Sequence, residues 1–378
     1  MKKIGIITFH KSHNNGSMLQ ALALQYVLEE RYAFTVHIID YSNSRQKSMY
    51  APYPAPTTVK KCIKFFLLLQ KLPLLQKAYN SFETFAKHYF HLTELSFDEK
   101  SDLSVLENTY DAFIAGSDQI WNIRCGDADD AYFLNFVKNK PKFAYAVSFG
   151  ANNPFEIEKY KFYINDFKSI SVRENNAQKW IFEATNLEVP VCLDPTMLLN
   201  WQEWENVVHV RDTPIIQGNY IFYYCFNIKE HIQIFLHHTA KKYSMPVYFL
   251  DPKEWCIKMC WRHKIRLVCD FGPDVYMNIV KNATLFLTTS FHGTAFATIY
   301  RKNFWYINDK KNSSETDDRA LTFLTQLKLL SRYKTIEELE NTDLCTPPDY
   351  METESSLVKL QALSFSYLDS VAGEINER

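Results

Sequence analysis

The sequence predicts an α/β protein built from two Rossmann-like lobes with a cleft between them. A short apolar run, a polar loop, an amphipathic stretch and a second apolar run open the chain, which is the repeating unit of a parallel sheet. The same alternation resumes after residue 218. The length, 378 residues, suits two domains of roughly 150–200 residues better than one.

Taken in order, Lys3–Phe9 reads as a buried strand and Met18–Tyr32 as a helix, with Ser17 as its N-cap. Thr35–Ile39 is the next strand. Residues 41–58, rich in Ser, Pro and Tyr, read as an irregular loop, and 58–92 as a basic, aromatic helical insertion. Ala112–Ala115, Phe143–Ser148, Ile170–Val172 and Val189–Leu193 are short strands, with helices near 155–167 and 174–184. Residues 1–195 thus form the first lobe. Pro195 to about Gly218 reads as the link, and 196–350 as the second lobe. Its strands are Tyr220–Tyr224, Val247–Leu250, Leu285–Thr288 and Phe304–Ile307. Its helices lie near 229–242, 274–282, 293–300 and 316–329. A last helix, near 352–374 within 351–378, is expected to pack back on the first lobe.

Composition excludes several classes. A formal net charge of −1 gives no general attraction to nucleic acid, so none is expected as a partner. Eight cysteines spread over this length do not make a disulfide scaffold. The opening MKKIGIITF meets polar residues too soon for a signal peptide, and no apolar stretch of about 20 residues exists to span a bilayer. The expected location is the cytoplasm. Cys256, Cys260, His263 and Cys269 are spaced C-x3-C-x2-H-x5-C, which fits no common zinc pattern. They read as reduced cysteines, and no metal site is expected.

Four segments carry chemistry-bearing residues at strand ends, where parallel α/β sheets bind ligands. In HKSHNNGS, either Asn14, Asn15 and Gly16 only make the turn, or Asn15, Gly16 and Ser17 offer amides to an anion at a helix start, with His10 and His13 as added donors. In AGSDQIWN, Ser117 and Asp118 follow a strand, with Trp121 and Asn122 beyond. They form a capped turn with Trp121 in the core, or a site where Trp121 stacks on a sugar. In SISVREN, Arg173 either grips a carboxylate or phosphate or makes an ion pair. Asp194 of LDPT is a ligand or, as the better reading, a turn residue. In LFLTTSFHGTAFA, His292 stands at a strand-to-helix switch between Ser290 and the amides of Gly293 and Thr294, an anion cradle beside an acid–base group.

KIGIITFHKSHNNGSMLQALALQ, FIAGSDQIWN, ISVREN, LDPT, FGPDVYMNIVKNA and TTSFHGTAFA together resemble the polysaccharide pyruvyl transferase family, in the family's order, over residues 3 to about 300. The resemblance implies a GT-B-like fold with the donor, phosphoenolpyruvate, in the cleft. It also implies an activity in capsule or exopolysaccharide synthesis, a cyclic ketal closed on two hydroxyls of a hexose. The saccharide acceptor would be a repeat unit or its lipid-linked precursor. The family's donor residues carry over to Arg173, Ser290, Phe291 and His292. Some branches read Arg-Leu-His-Gly where this chain has Ser-Phe-His-Gly, so Ser290 stands in a cation's place and Arg319 is a candidate replacement.

On this basis His292 and Asp118 are the expected catalytic pair. Arg173, Ser290, Phe291, Gly293, Thr294, Arg319, Asn15, Gly16 and Ser17 are expected on the donor, and Ser117, Trp121, Asn122 and His13 on the acceptor, with no cofactor. A nucleotide-sugar glycosyltransferase of the same fold is the competing reading. Within 58–92, Lys60, Lys61, Lys64, Lys71, Lys77 and Lys87 beside Phe65, Phe66 and leucines suit peripheral membrane contact or ordinary packing on the first lobe.

Overall fold

A computed structural model describes residues 1–53, 58–150, 157–309 and 318–377. The expected starts of helices near 155 and 316 lie outside them. Two parallel six-stranded sheets dominate. The first contains β1 (Lys3–Ile7), β2 (Thr35–Tyr41), β3 (Leu92–Phe97), β4 (Ala112–Asp118), β5 (Lys142–Val147) and β6 (Ser169–Val172), in the order β3-β2-β1-β4-β5-β6. The second contains β7 (Ile221–Tyr224), β8 (Val247–Phe249), β9 (Arg266–Leu267), β10 (Leu285–Thr288), β11 (Phe304–Ile307) and β12 (Tyr333–Lys334). Read from its other edge, its order β9-β8-β7-β10-β11-β12 repeats the first. Each sheet therefore reverses direction once, between β1 and β4 and between β7 and β10, and a crevice opens at each reversal.

The first helix, α1 (Asn15–Glu30), starts earlier than its sequence suggests. Asn14, not Ser17, is the cap: its Oδ1 accepts from the Gly16 and Ser17 amides at 2.9 and 3.3 Å. Residues 41–58 are not all irregular, because Asn43 caps α2 (Ser44–Tyr50), an almost wholly polar helix without the apolar period that signals one. The insertion forms α3 (Val59–Leu68) and α4 (Leu72–Tyr89). The strand expected at Val189–Leu193 is reduced to one bridge, Val172 to Val191, since Pro190 has no N–H to extend a ladder. The link segment is ordered too. Asn200 and Glu203 form a reciprocal capping box on the helix Trp201–Val207.

One apolar cluster runs beneath the cleft through both lobes, joining Ile4, Leu19 and Ile114 to Tyr276, Phe286 and Phe296. Separate clusters fill the outer face of each sheet. The final helix, Met351–Asn376, lies against both lobes. The Tyr367 hydroxyl donates to the Ala144 carbonyl of β5, Ser364 Oγ accepts from the Leu193 amide, and Thr353 Oγ1 donates to the Leu327 carbonyl.

Candidate active site in the cleft

The strand ends of both sheets face a cavity of about 490 Å³ lined by Ser17, Asp118, Ser290, Phe291, His292 and Arg319, among others. Its base is a buried polar chain. Ser17 Oγ, in the first turn of α1, donates to Asp118 Oδ2 at 2.6 Å. Arg173 donates to Asp118 Oδ1 at 3.3 Å and to Asp194 Oδ2 at 2.5 Å. The second lobe closes the chain with His292, whose Nε2 lies 3.4 Å from the same Asp194 oxygen. That distance lets the two groups interact electrostatically, but the alignment is not that of a hydrogen bond, and Nε2 has no hydrogen-bond partner.

Local sequence explains the fit. Gly16 is the notch that admits the imidazole, since a Cβ there would fall 2.2 Å from His292 Cγ. Gly293 does the same one element over, where a Cβ would meet Thr288 Oγ1 at 2.3 Å. The Phe291 ring covers the Arg173 guanidinium at 4.5 Å, a cation–π contact between lobes.

Electrostatics assigns states. Burial alone would raise Asp118, but His292 and Arg173, with the Ser17 bond, outweigh it and hold the carboxyl below its usual range. Asp194 is likewise held well below that range against its burial, by His292 and Arg173 and by bonds from the Thr196 amide and hydroxyl. Glu174 behaves oppositely: burial pushes it up to about 7 despite Arg173, Arg319 and bonds from Ser148 Oγ and the Phe149 amide. Its Oε2 is buried without a partner.

Several expectations change. Arg173 is 3 % exposed and engaged by two carboxylates, so it pins the base of the site instead of gripping a ligand. Asp118 is engaged at both oxygens, and a carboxylate with a depressed pKa is a poor base. Trp121 is fully buried, stacked on Phe133 at 5.0 Å, and does not reach the cavity. Ser117 is also fully buried, its hydroxyl donated to the Ala146 carbonyl. Asn122 closes a turn on Gln119. Asn15 is turned away from this cavity and lines the adjoining one.

The amide cradle moves as well. Asn14 takes the Gly16 and Ser17 amides. In the helix Phe291–Ile299, Ser290 receives the Gly293 amide at its hydroxyl and the Thr294 amide at its carbonyl. The first-turn amides left over are those of Phe291 and His292. Two cations line the cavity besides His292: Arg319, and Lys229 at the start of the helix Glu230–Tyr243, where it pairs with Asp309 at 2.5 Å. Sequence reasoning missed Lys229, which has no motif around it, and gave Asp194 too little weight although LDPT was in view.

Two six-stranded parallel sheets of one topology, with His292, Lys229 and Arg319 between them, define a two-lobed protein of GT-B-like, Rossmann-type architecture. The chain belongs to the polysaccharide pyruvyl transferase family, whose model matches residues 14–311. Comparison with curated protein sequences returns no match. Among solved structures, the chain is similar to the MnaA–UDP complex of S. aureus, with a TM-score of 0.55 and 12% identity over 94% of each chain. It is also similar to the UDP-GlcNAc 2-epimerase of Methanocaldococcus jannaschii, with a TM-score of 0.50 and 13% identity over 97% of this chain and 100% of that one. At such identities the likeness concerns the fold alone.

Proposed function

We propose that the protein transfers pyruvate from phosphoenolpyruvate to two hydroxyls of one hexose in a surface polysaccharide repeat or its lipid-linked precursor, forming a cyclic ketal. The reading rests on one observation in a chain of this family: His292, beside Asp194 and Arg173, lines a cavity at the strand ends of both lobes that carries Lys229 and Arg319 as well as Asp118, Asp127 and Asp309.

The donor carries a phosphate and a carboxylate. We assign them to Lys229, Arg319, the Ser290 hydroxyl and the first-turn amides of Phe291 and His292, which line the cavity or open the helix beside it, with Lys229 exchanging its Asp309 contact for the donor. The reaction begins with a proton added to the donor methylene. One sugar hydroxyl then attacks C2 and loses its proton, the C2–O bond to phosphate breaks, and the second hydroxyl attacks the same carbon and loses its proton. Of the two protons released, one balances the new methyl group and the other leaves with phosphate. His292 is the shuttle for these protons. Ionised Asp194, 3.4 Å from Nε2, stabilises the charged form of the ring. The scheme uses no metal or cofactor.

The site of action is the cytoplasm, with contact at the membrane face. Among the described residues no helix is long and apolar enough to cross a membrane. On α3 and the turn after it, Phe66, Leu67 and Leu69 are exposed beside Lys64 and Lys71, a composition suited to a bilayer surface. The side chains of Lys60 and Lys61 lie outside those described.

The test is incubation with phosphoenolpyruvate and a panel of saccharides, reading phosphate release and the mass of one ketal on the sugar. Both signals are expected. Transfer from a nucleotide sugar, with neither signal from phosphoenolpyruvate, would replace this reading with the glycosyltransferase one.

A further inference from the structure

The cleft does not end at His292. A second cavity, of about 310 Å³, adjoins the first and shares Asn14, Met49, Tyr50, Phe226 and Asn227 with it. Its volume falls within the range of about 300–1,000 Å³ usual for small-molecule sites. None of the reaction chemistry above uses it.

Its walls are aromatic and fixed. Tyr79 and Phe82 of α4 hold the His13 ring between them, Phe82 stacked at 5.2 Å and 10°, Tyr79 edge-on at 4.5 Å. Glu83 bonds His13 at 2.8 Å. Phe226, 65% exposed, stands on the second lobe where the two cavities meet. Flat apolar rings held in this way match the C–H faces of a pyranose.

Two of its polar residues carry an unpaired acceptor. Asn15 is 5% exposed, and its Oδ1 is buried with no hydrogen-bond partner. Glu254 also lines the cavity, and its Oε2 has none either. Both are acceptors, and a buried acceptor left unpaired costs about 1–3 kcal/mol, so a ligand donating O–H groups is favoured. The cation here, Lys253, already spends its Nζ on the Met49 and Ala51 carbonyls at 3.3 and 3.2 Å. Asp251 and Glu254 are the carboxylates of the wall. A nucleoside diphosphate would bring its phosphates against two carboxylates with no unengaged cation to receive them.

We infer that this aromatic arm is a binding site for a neutral saccharide unit, the one joined to the sugar that receives pyruvate, so that the acceptor is at least a disaccharide. The inference rests on the proposed transfer for its place in the reaction, but the binding itself is independent of it. The arm fixes the acceptor by its neighbour unit, and the reaction cavity then presents the hydroxyl pair to C2 of the donor.

The experiment titrates the intact chain, without phosphoenolpyruvate, with cellobiose, lactose and N-acetyllactosamine, with glucose and galactose, and with UDP-N-acetylglucosamine, by calorimetry and ligand-observed NMR. At least one disaccharide is expected to bind more tightly than either monosaccharide. Tyr79→Ala, and separately Phe226→Ala, should weaken it roughly three- to tenfold, with NMR contacts concentrated on one ring face. Phe226 is exposed enough that its variant serves if Tyr79→Ala fails to fold. Equal binding of mono- and disaccharides, or binding of UDP-N-acetylglucosamine that either variant weakens, would overturn the subsite. Disaccharide binding sensitive to both variants, with no ketal formed from phosphoenolpyruvate, would sustain the subsite and remove the transferase reading instead.

Discussion

The two arms of the cleft share five lining residues and differ in what they leave unengaged. The His292 arm is built over a buried polar chain, Ser17, Asp118, Arg173 and Asp194, and leaves Arg173 Nε and the imidazole Nε2 without hydrogen-bond partners. The Tyr79 arm is walled by rings and leaves acceptor oxygens unpaired. On the proposed reading, reaction and recognition are separated by only a few residues. One arm is stiffened by charge pairs whose loss is costly, the other by aromatic packing whose loss is graded.

The sharpest way to break this contrast is His292→Ala. Turnover with phosphoenolpyruvate should fall roughly 10²–10⁴-fold while disaccharide affinity in the other arm stays within error. Arg173→Met should instead lower stability by about 3–5 kcal/mol, because Asp118 and Asp194 are left buried without their cation. Chemical denaturation would read it, and a loss below 1 kcal/mol would mean the triad does not hold the site together. Gly16→Ala tests the join between lobes. Its Cβ would clash with the imidazole, so a loss of about 1–3 kcal/mol and a fall in turnover should appear together.

The smallest effect is a pH dependence. Burial raises Glu174 from 4.5 to about 7, so the folded state holds a proton that the unfolded state releases. The stability this contributes is fully present below pH 4.5 and is lost as pH rises through about 7. Glu174→Gln lacks that loss. Its melting temperature, relative to the parent chain, should gain a few degrees between pH 5 and pH 8, and an unchanged difference would show that Glu174 is not protonated in the fold.

Much of the fold was legible because parallel strands buried on both faces print as short apolar runs, as in Lys3–Ile7 and Leu285–Thr288. What was missed lies at sheet edges and in polar helices. β3 exposes Glu94, Leu95 and Ser96, β9 and β12 are two residues long, and α2 buries only Gln46. None carries a period long enough to read. At the site, the motifs located His292, Asp118 and Arg173 in one place. They could not say which way each faces. Ser117 lies in β4 beside Asp118 and Trp121 just beyond it, yet both turn into the core, Trp121 stacked on Phe133 and Ser117 bonded to the Ala146 carbonyl. Asp194 was legible as a turn, but its second role depends on β6 and the 291–299 helix meeting over it, which no local pattern records.

The most direct test of the central claim is a calorimetric titration of the intact chain and of His292→Ala with phosphoenolpyruvate and with UDP-N-acetylglucosamine. The account predicts saturable binding of phosphoenolpyruvate to the intact chain, weakened in the variant, and no comparable binding of the nucleotide sugar. Saturable binding of UDP-N-acetylglucosamine with none of phosphoenolpyruvate would contradict it.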